Sequence, residues 1–198
     1  MRILLSLCVW LPFTLLTACA TPSYLPEATS LTAAADEVIV IGKFELDPPM
    51  QPELEQETYW NVIGDDQLLN SVIVATAPQP EQLDISTIDI SQWQASIKTK
   101  WGETFVIRMP REAAYLNGAM MNLDAMRQDF LWFPGGYYFQ PPKDAKVVYV
   151  GTFRYYRDDF NRILRAKIID EFSKTRQELE QQFGALPTTS RALWQPNP

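Results

Sequence analysis

Hydrophobic positions fall into three regimes along the chain. Ile3 to Thr17 is apolar apart from Ser6, Pro12 and Thr14, and Arg2 precedes it. Residues 20–36 (ATPSYLPEATSLTAAAD) are poor in large apolar side chains and carry two prolines. From Glu37 onward, short apolar or alternating runs are separated by proline-rich connections, which predicts strands rather than helices. Val38 to Leu46 (VIVIGKFEL) begins as a continuous apolar run and shifts to alternation at Phe44 and Leu46. Pro48, Pro49 and Pro52 then end it, because each removes a ladder donor. Leu69 to Thr76 and Thr104 to Met109 are further strands, the first closed by Pro78 and the second by Pro110. Glu112 to Leu123 admits a strand or a short helix. Pro134-Gly135-Gly136 predicts a turn leading into an aromatic strand, Tyr137-Tyr138-Phe139.

The strongest pattern lies near the C-terminus. Lys146 to Arg157 (KVVYVGTFRYYR) is β-branched and aromatic. Strict alternation places Val147, Tyr149, Gly151, Phe153 and Tyr155 on one face, and Val148, Val150, Thr152, Arg154 and Tyr156 on the other. Asp158-Asp159 breaks the run, Arg162 to Ile169 alternates again, and together they predict a hairpin. A helix follows over Glu171 to Phe183, with Asp170 as N-cap, Phe172, Leu179 and Phe183 on one stripe, and Gly184 in the C′ position. Residues 186–198 contain three prolines and read as an irregular tail. The expected fold class is mainly β: an antiparallel β-sandwich over 37–185 with one C-terminal helix.

Composition then narrows the chemistry. The 198 residues contain no histidine, which excludes Ser-His-Asp and Cys-His nucleophiles and His-ligated metals. The two cysteines, Cys8 and Cys19, both fall in the first twenty positions. The apolar run is too short for the ~20 residues of a spanning helix and has the length of a signal-peptide core. It ends at Leu16-Thr17-Ala18-Cys19, which resembles the lipobox of bacterial lipoproteins. That resemblance implies a signal peptide over 1–18, diacylglycerol on Cys19, and a lipidated, flexible tether over 19–36. Ala20 follows the cysteine where aspartate would signal retention, so the resemblance also implies the periplasmic face of the outer membrane. As free chain, such a tether spans about 23 Å as a coil and about 60 Å fully extended. Loss of Arg2 takes the formal charge from −7 to −8 and leaves Cys19 as the one cysteine, so no intrachain disulfide is available. The hairpin stretch Val147 to Ile169 resembles the last part of bacterial envelope lipoproteins with immunoglobulin-like sandwich domains; the likeness carries no catalytic motif.

Within the domain, no constellation commits to a reaction. Asp158-Asp159 has the form of an acid pair or cation site, yet Asp is a preferred turn residue and adjacent strand residues face opposite ways. Asp65-Asp66 is read the same way, and no DxDxDG loop occurs. Ser173 beside Lys174 lacks SxxK or GxSxG context, and Gly135-Gly136 lacks the GK[ST] of a phosphate loop. The aromatics Trp93, Trp101, Trp132, Phe133, Tyr137, Tyr138, Phe139, Tyr149, Phe153, Tyr155 and Tyr156 serve a core, with any exposed subset free to stack on glycan or protein. Arg154, Arg157, Arg162, Arg165 and Lys167 place positive charge on the hairpin, while the acidic whole argues against nucleic acid. The expected protein is therefore not an enzyme and has no cofactor or metal. It is expected to be a lipid-anchored module for another envelope component, with Arg154, Tyr156, Arg157, Asp158 and Asp159 as its binding surface. A carboxylate-dependent glycan-acting enzyme and a purely structural tether are the alternatives.

Overall fold

The computed structural model describes residues 23–51, 69–83, 85–123 and 129–198. Cys8, Cys19, the N-terminal apolar run and Asp65-Asp66 lie outside them. In chain order the strands are β1 (Glu37–Asp47), β2 (Ser71–Ala77), β3 (Ala95–Lys100), β4 (Thr104–Pro110), β5 (Ala114–Asn122), β6 (Phe130–Phe139), β7 (Val147–Arg157) and β8 (Ile163–Ile169). Helix α1 (Phe172–Phe183) follows, then β9 (Thr189–Arg191) and β10 (Gln195–Pro196). They form two five-stranded sheets: β4-β1-β7-β8 with β9 also on β7, and β10-β6-β5-β2-β3.

The sheets share one core. Val38, Val40, Phe44 and Leu46 of β1 and Val148, Val150, Phe153 and Tyr155 of β7 pack with Val72, Val74, Leu116, Ala119, Phe133 and Phe139 of the second sheet. The Tyr155 hydroxyl crosses the gap to donate to the Pro134 carbonyl at 3.0 Å, and full burial pushes its pKa up. Both outer faces are partly covered as well. Leu179 of α1 and Ala28 bury Ile39, Ile41, Val106, Val147 and Tyr149, and Trp93 packs on Ile73, Ala75 and Met120. This double burial accounts for the unbroken VIVI run of β1, since a strand covered on both sides has no polar face to display.

The first sheet is mixed, which corrects the expectation of purely antiparallel strands. β1 is central and runs parallel to β7, as β9 does. A parallel pair needs a long crossover rather than a tight turn, and here the chain visits β2 to β6 between the partners. β7 also breaks its predicted alternation. The register with β1 shifts between Ile41 and Gly42, Gly151 takes φ +94°, and the buried face passes from Val148 and Val150 to Phe153 and Tyr155. An extra residue in one strand reverses the side-chain parity beyond it.

Other parts of the chain resolve or depart from the expectations. Glu112 to Leu123 is the strand β5. Pro134-Gly135-Gly136 is not a turn but a register shift inside a continuous β6. β3 went unread, because its ASIKTK sequence presents few apolar positions. The tail is ordered: β9 lies on β7, β10 on β6, and Trp194 between them is 3% exposed. The free tether is shorter than composition implies. The Ser96 amide donates to Ser23 and the Leu25 amide to Ser96 on β3. The Arg108 amide donates to Pro26 and the Ala28 amide to Val106 on β4, all at 2.8–3.0 Å. Small and polar residues are held here by backbone bonds to strand edges, which composition does not reveal.

Helix α1 starts one residue later than expected: Glu171, not Asp170, is its N-cap, and it makes no side-chain cap bond. Asp170 accepts the Phe172 amide at 3.1 Å, the Tyr149 hydroxyl accepts the Glu171 amide at 2.9 Å, and Gly184 closes the helix at φ +81°.

Candidate functional site

β8 is the edge of the first sheet opposite β4, the edge that holds the N-terminal segment. The β7–β8 hairpin carries every residue expected at the binding surface, but those residues do different jobs. Asp158 organises the turn. Its Oδ1 accepts the amides of Phe160 and Arg162, each at 2.9 Å, and its Oδ2 accepts Arg162 Nε at 3.0 Å. Asn161 follows in the left-handed region at φ 61°, a conformation that its short polar side chain tolerates. Arg157 is a strut: its Nε and Nη2 donate to the carbonyls of Pro48 and Pro49 at 3.0 and 2.9 Å, and its Nη1 to Asn161. Asp159 is exposed beside them. The acid pair is therefore a turn and not a dyad.

The Arg162 amide, then the Phe160 amide and the Arg162 side chain, hold the Asp158 carboxyl below its ordinary 3.8, against a desolvation effect of opposite sign. A lowered folded pKa means that the turn is fully supported above the unfolded value and loses that support as pH falls through the folded one. The Phe160 and Arg162 amides should therefore stay protected from exchange above pH 3.8 and open only at lower pH. In Asp158→Asn this acid transition should vanish. Identical acid profiles for the two proteins would contradict the assignment.

Around the turn, the outer face of the hairpin is basic and aromatic. The Arg165 guanidinium lies 4.4 Å from the centroid of the Tyr156 ring, and Lys167 Nζ lies 6.0 Å from it. Neither cation has a carboxylate partner among the described residues. Arg154, by contrast, is committed: its Nε and Nη2 both reach Glu45 Oε2, at 2.7 and 2.6 Å. Phe160 and Leu164, 78% and 66% exposed, are two of the four large hydrophobic residues exposed among the described ones. Arg165, Lys167, Phe160 and Leu164 are thus the accessible members. Charge clustering pointed to the first two, but the two apolar residues gave no signal until the turn and the β7–β8 register shift were seen to expose them.

Most of the aromatics serve the core, with Phe133, Phe139, Phe153, Tyr149 and Tyr155 fully buried. Trp101 reaches an open cleft of about 400 Å³ that it lines with Glu45, Asp47, Pro49 and Arg154. Glu45 and Asp47 are two residues apart on one strand and share one wall, and Arg154 already occupies Glu45. Glycoside hydrolysis instead sets two acids on either side of the bond. Ser173 and Lys174 are exposed neighbours on α1. No group of three or more His, Cys, Asp or Glu among the described residues is placed to hold a metal ion. No family model, curated protein or solved structure matches this chain.

Proposed function

We propose that the protein is a lipid-anchored envelope lipoprotein that presents the β7–β8 hairpin to another protein of the cell envelope. The observation that carries this reading is the placement of the hairpin. Its unpaired cations and exposed apolar residues lie on the sheet edge opposite the one that fixes the N-terminal segment. Cys19 precedes Ser23 by four positions, and four residues reach about 14 Å at most. An acyl group on Cys19 would therefore hold the β3–β4 side near the bilayer and leave the β8 side facing away. The lipobox supports the anchor, Ala20 supports the periplasmic face of the outer membrane, and the absence of histidine favours binding over catalysis. For the fold we keep the immunoglobulin-like likeness at the level of two facing sheets, since the parallel β1–β7 pair is foreign to an all-antiparallel sandwich.

Metabolic labelling with a palmitate analogue tests the anchor: the wild type should incorporate label, and Cys19→Ser should not. Cross-linking in intact cells tests the module. One dominant cross-linked species is expected, reduced at least tenfold in the Phe160→Ala, Arg165→Glu, Lys167→Glu variant while acylation is unchanged. Label retained by Cys19→Ser refutes the anchor. A dominant species indifferent to the triple variant refutes the surface, and no species at all leaves the structural tether as the better account.

A further inference from the structure

β8 pairs with β7 on one side, and among the described residues no strand pairs with its other side. Such an edge offers a row of backbone donors and acceptors ready for another strand. Its side chains supply two more features. Ile163, Ala166 and Ile168 turn inward and pack, only partly buried, against the core between the sheets. Arg165 and Lys167 point to the outer face beside Tyr156.

Resting on the docking role proposed above, we infer that β8 accepts an extended segment of its protein partner as an added strand. Acidic residues at alternate positions of that segment face Arg165 and Lys167, and apolar residues between them cover Ala166 and Ile168. The choice of occupant follows from what each candidate leaves unsatisfied. A second copy of β8 would bring its own arginine and lysine against these, and like charges across a ladder are destabilising. A bilayer offers no hydrogen-bond partners to the backbone edge in its hydrocarbon region. A polyanion without apolar groups neutralises the cations and leaves the inner row open. An acidic, alternating strand answers all three: backbone row, cation pair and apolar flank.

Hydrogen exchange on the full chain, with two synthetic peptides that alternate valine with either glutamate or lysine, tests this. The glutamate peptide should newly protect the outward-facing amides between Leu164 and Ile168, those not already bonded to β7, and bind at least tenfold more tightly than the lysine peptide, with affinity falling as salt rises. In Arg165→Glu, Lys167→Glu the preference should invert. Protection by both peptides or by neither, or a preference unchanged by the reversal, overturns strand addition. The two proposals fail separately. A cross-linked partner lost in the hairpin variant, with no peptide protection at β8, keeps the docking role and rejects strand addition. Peptide protection without any cross-linked partner does the reverse.

Discussion

Trp194→Ala should destabilise the protein by about 3–5 kcal/mol, the range for truncating a large buried aromatic. Trp194 is 3% exposed and meets Phe139 edge-on, with ring centroids 4.8 Å apart. Its amide donates to the Val150 carbonyl at 3.1 Å, two residues after the Ala192 amide donates to Tyr149 at 3.0 Å. The indole sits where the chain leaves the first sheet for the second, so its loss opens a cavity at a seam rather than in the middle of one layer. A chain ending at Pro187 would lose the indole together with β9 and β10, and should not fold cooperatively. Arg191 is the control on the same segment. Its contacts are an exposed ion pair with Asp170 at 3.1 Å and a stack on Phe172 at 4.4 Å, and Arg191→Ala should cost about 1 kcal/mol or less. Chemical denaturation of the three chains checks the order. A Trp194→Ala midpoint close to that of Arg191→Ala would show that the tail does not close the sandwich.

This tail shows where sequence reading stops. β1, β2, β4, β7 and β8 are legible because each carries a run of β-branched, aromatic or alternating apolar residues, and α1 because its apolar stripe includes Leu179, which is buried. In residues 186–198 the stabilising features are one tryptophan and backbone bonds to strands contributed from elsewhere, and neither has a period. Ser23 to Ala28 escapes detection for the same reason. At β7 the alternation was recognised but its faces were not, because one extra residue near Gly151 inverts parity without disturbing the apolar count. The candidate site divides in the same way. Clustering of arginine and lysine marks the hairpin from sequence. Only the contacts separate Arg154 and Arg157, which are occupied by Glu45 and by the carbonyls of Pro48 and Pro49, from Arg165 and Lys167, which face solvent.

The Pro-Gly-Gly segment yields the other large effect, and its two glycines should behave oppositely to what their backbone angles suggest. Gly136 has φ +92° with open space around it. An alanine there carries only the conformational penalty, about 1–2 kcal/mol. A Cβ on Gly135 would lie 2.3 Å from the Asn117 carbonyl carbon, 2.4 Å from the Leu116 oxygen and 2.5 Å from the Asn117 oxygen. All three are backbone atoms of the adjacent strand, so no side chain can swing aside and β5 and β6 must separate. This is also where their register shifts between Leu116 and Gly118. Displacing Asn117 has a second consequence: its Oδ1 accepts the Glu81 amide at 3.0 Å and its Nδ2 donates to Gln79 at 3.3 Å, which fixes the segment leading to the cover of the second sheet. Gly135→Ala should therefore cost about 3 kcal/mol or more, a fall in Tm of roughly 6–12 °C for a chain of this size. It should also release the 79–81 backbone to exchange, which Gly136→Ala should not. Equal losses from the two alanines, or a protected Glu81 amide in Gly135→Ala, would mean that the strands accommodate the methyl group without parting.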